Sequence, residues 1–342
     1  MGGNNNIPQG DGPPFDIPKR RWFQYSLRTL LTLTTIIAVL FARWSYIARQ
    51  QRGAVAALEM ARAVVYYDFQ VEKLERPPHL PAFLVDTLGV DYFADVTHVH
   101  LASDTNDADL GRLTLRRLSG LRSLDLNSSR ITDIGLEHLA GMNICGSIEL
   151  GNTQITGTGL EHLKAITGLR GIALDGSRVT NAGLEKLKGL TELESLTLGN
   201  TEITDAGLQH LKGLTALKRL DLFGTKITDA GLENLNGLQA LCDLRLWNTH
   251  ITDLGLKHLS GLVALRWVDI SDTQITDVGL ERLTGLKALQ YMDLTNTDIS
   301  DAGLEHLKKL TALQEILLLN TQVTDAGVTR LRHLLPNCDI RH

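Results

Sequence analysis

The chain reads as an α/β solenoid, with short parallel strands on one face and short helices on the other. Three observations lead there. A 24-residue unit recurs nine times, its first strand apolar position falling at Leu124, Ile148, Ile172, Leu196, Leu220, Leu244, Val268, Met292 and Ile316. Self-similarity at such a fixed period marks an architecture of stacked units. Within each unit an alternating L-x-L gives way to apolar residues at helical spacing, and aromatics make up only 5% of 342 residues. A core of Leu and Ile with few rings suits small stacked units better than one large sandwich.

Taken in order, residues 1–21 are Gly-, Asn- and Pro-rich and are expected to be a disordered cytoplasmic tail. Residues 22–48 carry an uncharged run from Thr29 to Ala42, with Arg28 and Arg43 at its ends. The run is shorter than the ~20 residues a bilayer core requires. Arginines at the margins can snorkel, however, and Trp22, Phe23, Tyr25, Trp44 and Tyr46 supply interfacial belts. The segment reads as a single-pass anchor. The alternatives are a cleaved signal peptide, with Ala54-Val55-Ala56 as its A-x-A site, and an interfacial helix. Basic residues flank the run almost evenly, and the small excess before it favours the N-terminus inside and the repeats outside the cytoplasm.

Residues 49–98 form a linker and an N-terminal α/β cap: helix (AVAALEMARA), strand (VVYYDF), a Pro-rich turn and a second helix ending near Tyr92. The cap is expected to protect the first strand edge. Residues 99–342 are the array: one degenerate repeat, nine regular ones and a C-terminal partial strand after Pro336.

In LKRLDLFGTKI (217–227) the strand half is L-x-x-L-x-L-x-x-T-x-I. The Thr or Ser column, from Ser129 to Thr321, is expected to bond buried backbone groups of neighbouring turns as a hydroxyl ladder. The helical half, TDAGLQHLKGLTAL (204–217), has Thr204 or Asp205 as N-cap and Leu208, Leu211 and Leu214 on one face. An Asp column (Asp133, Asp205, Asp229, Asp253, Asp277, Asp301, Asp325) is read as helix capping rather than calcium binding. The Gly column, Gly135 through Gly327, is read as allowing helix and strand to approach closely.

These strings resemble leucine-rich repeats, in the L-x-L-x-x-T-x-I-T-D-x-G-L-x-x-L form shared with the cysteine-containing F-box type and with many bacterial repeat proteins. No F-box is present. The head, FQYSLRTLL (23–31) with YYDF (66–69), resembles that of membrane-anchored repeat proteins of planctomycete-type bacteria. The resemblance covers about 22–342. It implies a horseshoe-shaped leucine-rich repeat solenoid, strands on the concave face, preceded by a transmembrane helix. It also implies binding of a protein or other ligand, with no shared catalytic residues and no cofactor.

Charge narrows the partner class. Residues 1–52 carry seven basic residues against Asp11 and Asp16, or +5, so a net charge of −5 leaves −10 on the remainder. An acidic body is a poor nucleic-acid binder, because phosphate recognition relies on Lys and Arg. The outward strand positions are small and polar in the first four regular units and change from the fifth: Arg219, Asp221 and Phe223; Arg245 and Trp247; Trp267 and Asp269; Tyr291 and Asp293. With strands ~4.8 Å apart, Phe223 should touch Trp247, and Trp267 should touch Tyr291. Exposed rings among Arg and Asp have the composition of an interface centre. The expectation is protein binding on the concave face of the C-terminal repeats. A structural or envelope-associated protein without a specific ligand is the alternative, and glycan binding a weaker one.

Other chemistries find less support. Asp269 and Asp293 sit at a separation a retaining glycosidase would use, but carboxylates one strand apart are common on polar faces, and no enzyme is expected. The helix column His138, His162, His210, His258 and His306 is interrupted by Lys186, Asn234, Arg282 and Arg330, so it reads as a solvated position rather than a metal ladder. The three cysteines form no C-x-x-C pair, and Cys145, in a column otherwise held by Leu, reads as a small core filler.

Overall fold

The structure, a computed structural model, describes residues 27–71, 85, 88–90 and 94–342. The expected tail, the rings of Trp22, Phe23 and Tyr25, and most of the second cap helix lie outside the described residues. The chain forms two compact units, one ending at Tyr46 and the other running from Ile47 to His342.

In the first unit the helix α1 (Leu27–Met60) begins. Leu33, Ile36, Ile37, Leu40 and Phe41 are all more than half exposed. The hydroxyls of Thr32, Thr34 and Thr35 donate back to the carbonyls of Thr29 and Leu31, so the apolar stretch shows no unsatisfied hydroxyl. This helix is long and apolar enough to cross a membrane, and a signal sequence near an N-terminus has the same character. In the second unit α1 continues unbroken to Met60, where Ala54, Val55 and Leu58 are buried in the core. Gln51, also buried, donates from Nε2 to the carbonyl of Ala94 at 2.7 Å.

Among the described residues, twelve strands form one sheet in sequence order. β1 (Val64–Tyr67) pairs antiparallel with β2 (Val96–His100), which covers one edge of the array. Three-residue strands follow every 24 residues: β3 (Ser123–Asp125), β4 (Ser147–Glu149), β5 (Gly171–Ala173), β6 (Ser195–Thr197), β7 (Arg219–Asp221), β8 (Asp243–Arg245), β9 (Trp267–Asp269), β10 (Tyr291–Asp293) and β11 (Glu315–Leu317). β12 (Asp339–Arg341) ends the sheet, and every pairing from β2 onward is parallel and in register. Alternation explains the short strands: the central residue points into the core, and its two neighbours face outward. Leu220, Leu222, Ile227, Leu232, Leu235, Leu238 and Leu241 of one unit are all fully buried. Each such burial stabilises the fold by about 1.5–3 kcal/mol.

The polar columns work differently from expectation. Thr204, Thr228, Thr252 and Thr276 are the N-caps, and the Asp that follows each begins the helix. That Asp reaches one repeat onward. Asp205 accepts the backbone N–H and the hydroxyl of Thr228 at 2.8 and 2.6 Å, and Asp253 accepts those of Thr276 at 2.8 and 2.7 Å. At Asp301, the backbone N–H of Thr324 and then its hydroxyl hold the carboxyl below the usual carboxylate range. The glycine column belongs to the same clasp. A Cβ on Gly231, Gly279 or Gly303 would strike the carboxylate of Asp205, Asp253 or Asp277, so the space is kept for the previous repeat's Asp rather than for a strand. One junction lacks the clasp: Gly157 replaces Asp, and the backbone N–H of Thr180 donates to the carbonyl of Thr156 at 3.2 Å instead.

The hydroxyl column forms no ladder between turns. Each Ser or Thr, from Ser129 to Thr321, donates to the carbonyl three residues back in its own repeat at 2.5–2.7 Å. Its hydroxyl thus closes the local bend rather than bridging turns. The residue before it is left-handed in every regular repeat: Ser128, Asn152, Gly176, Asn200, Gly224, Asn248, Asp272, Asn296 and Asn320. Asn, Asp and Gly tolerate that conformation best. Cys145 is exposed, not a core filler: Ile144, one position earlier, is fully buried in that region.

Candidate functional site

The outward residues of β7–β10 and the position after each L-x-L are placed by the parallel ladder. Gly224, left-handed, donates its N–H to the carbonyl of Trp247 at 3.0 Å, and Asn200 donates to that of Phe223 at 2.7 Å. The ladder therefore runs past the strand ends and sets these rings in register. Phe223 and Trp247 stack with centroids 4.6 Å apart and planes 2° from parallel. Trp267 and Tyr291, paired across β9 and β10, stack at 3.5 Å and 12°. On the far side of Phe223 the ring lies where a side chain on Gly199 would be, so that glycine makes room for it.

Arg245 lies between the two stacks. Its guanidinium carbon stands 5.8 Å from the centroid of Trp267, within cation–π range. Its Nε is 3.3 Å from Asp243 and 3.9 Å from Asp221. Asp243 also faces Arg219 at 3.6 Å. Sequence reasoning left Asp243 out of the cluster, although its place between Arg219 and Trp267 in the first outward column was visible. All nine expected residues, Arg219, Asp221, Phe223, Arg245, Trp247, Trp267, Asp269, Tyr291 and Asp293, lie on one face across four adjacent strands.

The carboxylates have a structural task as well. Asp221, Asp269 and Asp293 each accept the backbone N–H two residues on, at 3.3, 3.1 and 2.9 Å, and so cap their strand ends. Burial pushes the Asp221 carboxyl up to about 6, and the charge of Asp175 adds to the rise. Burial also raises Asp269, with Asp293 contributing, against the hydroxyl and N–H of Ser271. Tyr291 is raised by burial and by surrounding carboxylates, so its ring stays neutral, and its hydroxyl donates to Asp293 at 3.4 Å. Trp267 is 37% exposed, and Phe223, Trp247 and Tyr291 are half-buried. Because each ring turns one face to its stacking partner, at most one face of each ring is left to solvent.

The histidine column is more enclosed than a solvated position requires. His138 is exposed, but His162, His210, His258 and His306 are half-buried, and Nδ1 of His210 is buried without a hydrogen bond. No group of three or more metal-binding side chains occurs among the described residues.

Two family models, both described as leucine rich repeat, match the chain, one over residues 167–227 and 239–299 and the other over 120–140. No curated protein sequence matches. Among solved structures, internalin C2 of Listeria monocytogenes is 29% identical, with 58% of this chain and 80% of that one covered and a TM-score of 0.46. A second Listeria monocytogenes internalin, internalin F, is 21% identical over 76% of this chain and 92% of its own, with a TM-score of 0.42. A leucine-rich repeat protein of Leptospira interrogans is 17% identical over 66% and 74%, with a TM-score of 0.43. The matched segments, the 24-residue period and the parallel sheet of three-residue strands agree: the array is built of leucine rich repeats and folds as their solenoid.

Proposed function

We propose that this chain is a binding module held to a membrane by its N-terminal helix, taking a protein partner on the strand face of its C-terminal repeats. The observation that carries this reading is the pair of half-exposed aromatic stacks with Arg245 over the Trp267 ring. Rings and arginine at the centre of a patch, with carboxylates around them, are the usual composition of interface hot spots. A sugar ring stacks on an open aromatic face; here mutual stacking covers one face of each ring, Gly199 lies against the Phe223 ring and Arg245 stands over Trp267, which favours a protein over a glycan. The net charge of −10 outside residues 1–52 argues against a nucleic-acid partner. No reaction is assigned, since the outward carboxylates already serve as strand-end acceptors.

The membrane part rests on the exposed apolar length of α1 before Tyr46. The N-terminus lies inside and the repeats outside the cytoplasm in this proposal, by the slight basic excess ahead of the helix. Affinity capture with the full chain and with a Trp247→Ala/Trp267→Ala double variant tests the binding face. Loss of the captured protein is expected, and equal recovery by both proteins would sink the idea. Labelling intact cells with an impermeant amine reagent tests orientation; unlabelled repeats would overturn it.

A further inference from the structure

The first, irregular repeat differs from the others in charge. Its stretch ahead of β3, residues 112–122, holds Arg112, Arg116, Arg117 and Arg122 and no acidic residue, a net charge of +4. The matching stretch ahead of each strand from β4 to β12 carries at most +2. All four arginines are exposed. Arg112 faces Asp109 at 3.7 Å, whereas Arg116, Arg117 and Arg122 have no ion pair or side-chain hydrogen bond among the described residues. Asp95 stands beside Gly120 and pairs with none of them. A body that is acidic overall thus gathers unpaired cations in one place.

The place itself is the second observation. Arg116 and Arg117 lie on the turn Leu115–Arg117, against α1: a Cβ on Gly53 would lie 3.8 Å from a terminal nitrogen of Arg117. Arg49, also exposed, is one turn earlier on the same face of α1. The exposed apolar run of α1 ends at Ile47, and from there to Gly53 is about 9 Å along the helix axis. Headgroups extend about 5–8 Å beyond the hydrocarbon on each side of a bilayer, and a charged surface is felt over about a Debye length, ~8–10 Å. With α1 in a bilayer, the cluster falls where headgroup charge acts.

We infer that Arg116, Arg117 and Arg122, with Arg49, form a docking surface for anionic lipid headgroups of the membrane that α1 enters. The inference rests on the membrane reading above and adds the chemistry of the lipid. Guanidinium groups take phosphate oxygens in pairs, so arginine suits a phosphate-bearing surface. The acidic remainder of the array is repelled by the same surface, which confines contact to the first repeat.

In the test, the full chain with Cys242→Ser and Cys338→Ser is reconstituted into phosphatidylcholine vesicles carrying a fixed fraction of headgroup-nitroxide lipid, with and without ~30% phosphatidylglycerol. An impermeant fluorophore on Cys145 reports approach to the headgroups; this cysteine is exposed, and its N–H donates to the Leu121 carbonyl, next to Arg122, at 3.1 Å. Quenching rises about threefold or more with phosphatidylglycerol and falls back at ~0.5 M NaCl, where the Debye length is about 4 Å. Arg116→Gln/Arg117→Gln/Arg122→Gln removes the rise, and the corresponding triple Lys variant keeps it. Arg266→Gln/Arg282→Gln/Arg332→Gln takes the same charge from exposed positions of later repeats and also keeps it.

Equal quenching with and without phosphatidylglycerol overturns the inference, as does a rise that survives high salt or the triple Gln change. The salt arm needs no variant and decides the matter should the Gln variant fail to fold. Flotation with neutral phosphatidylcholine vesicles separates the two readings. A chain that does not float overturns the anchor and this inference with it; one that floats but ignores phosphatidylglycerol overturns the inference alone. Binding of a labelled Glu-rich peptide without any lipid response would give the patch to an acidic protein, and that too overturns it.

Discussion

Asp229 grips Thr252 of the following repeat, accepting its backbone N–H at 2.7 Å and its hydroxyl at 2.7 Å. This contact is what makes a sequence column into a mechanical link. Asp229→Ala should cost about 1–3 kcal/mol, because it strands an N–H that the next helix cap depends on. Asp229→Asn should cost less, since Asn181 makes the corresponding bonds to Thr204. Urea unfolding of the three proteins decides it; equal midpoints for wild type and Ala variant would refute the clasp.

Gly255 keeps the space that the Asp229 carboxylate fills. Gly255→Ala alone should destabilise by a similar amount, by pushing the carboxylate off Thr252. In the double variant Asp229→Ala/Gly255→Ala the added methyl meets an emptied site. Its loss should therefore fall clearly short of the sum of the two single losses. Additive losses would show that glycine and aspartate act separately.

Asp221 supplies a pH dependence with a definite sign. Its folded carboxyl titrates near 6, above the ordinary value of 3.8, because burial disfavours the charge. The folded state therefore holds the proton more tightly than the unfolded one. Its contribution to stability is fully present below about 3.8 and is lost as pH rises through about 6. Asp221→Asn should flatten the stability profile across that window. An unchanged slope between those two values would contradict the assignment.

The stacks should report on themselves. Gly199→Val places a side chain where the Phe223 ring lies, so it should unstack Phe223 from Trp247 without deleting either ring. A reduced near-UV circular dichroism signal is expected, with a stability loss of about 0.5–1.5 kcal/mol for the lost ring pair. Trp267 and Tyr291, on the other strand column, should keep their signal. A spectrum identical to wild type would mean that Phe223 has room to spare.

The helix α1 sets where the chain can be cut. A chain starting at Ile47 removes the exposed apolar stretch but keeps Gln51, Ala54, Val55 and Leu58, and should be soluble without detergent. A chain starting at Ala61 loses those core residues and the Gln51–Ala94 bond. It should melt earlier. Thermal melts of the two fragments check both expectations.

Most of the array was legible because the leucine columns repeat without drift, and the ring pairs followed from a spacing of 24. What escaped was the traffic between columns. Asp229 and Gly255 are 26 residues apart and in neither's own unit, so a reading within one repeat assigns each a local task. The left-handed column was visible as a run of Asn, Gly, Ser and Asp, but it sits among other variable positions and was passed over. Cys145 misled because alignment by count put it on a Leu column, while Ile144 is the buried residue there. The strand-end role of Asp221, Asp269 and Asp293 also depends on backbone geometry that residue types alone do not display.

The break at Gly157 has a consequence for how such an array can be edited. Where the clasp is intact, each repeat presents the same socket to its successor and the same plug to its predecessor. A unit can then be duplicated or excised there, and the new neighbours still fit. Across Gly157 and Thr180 the fitting is different, a left-handed glycine against the backbone of Gly183, and a transplanted repeat would find no matching half. Length changes should therefore be tolerated among the C-terminal units that carry the rings, and resisted at that one seam.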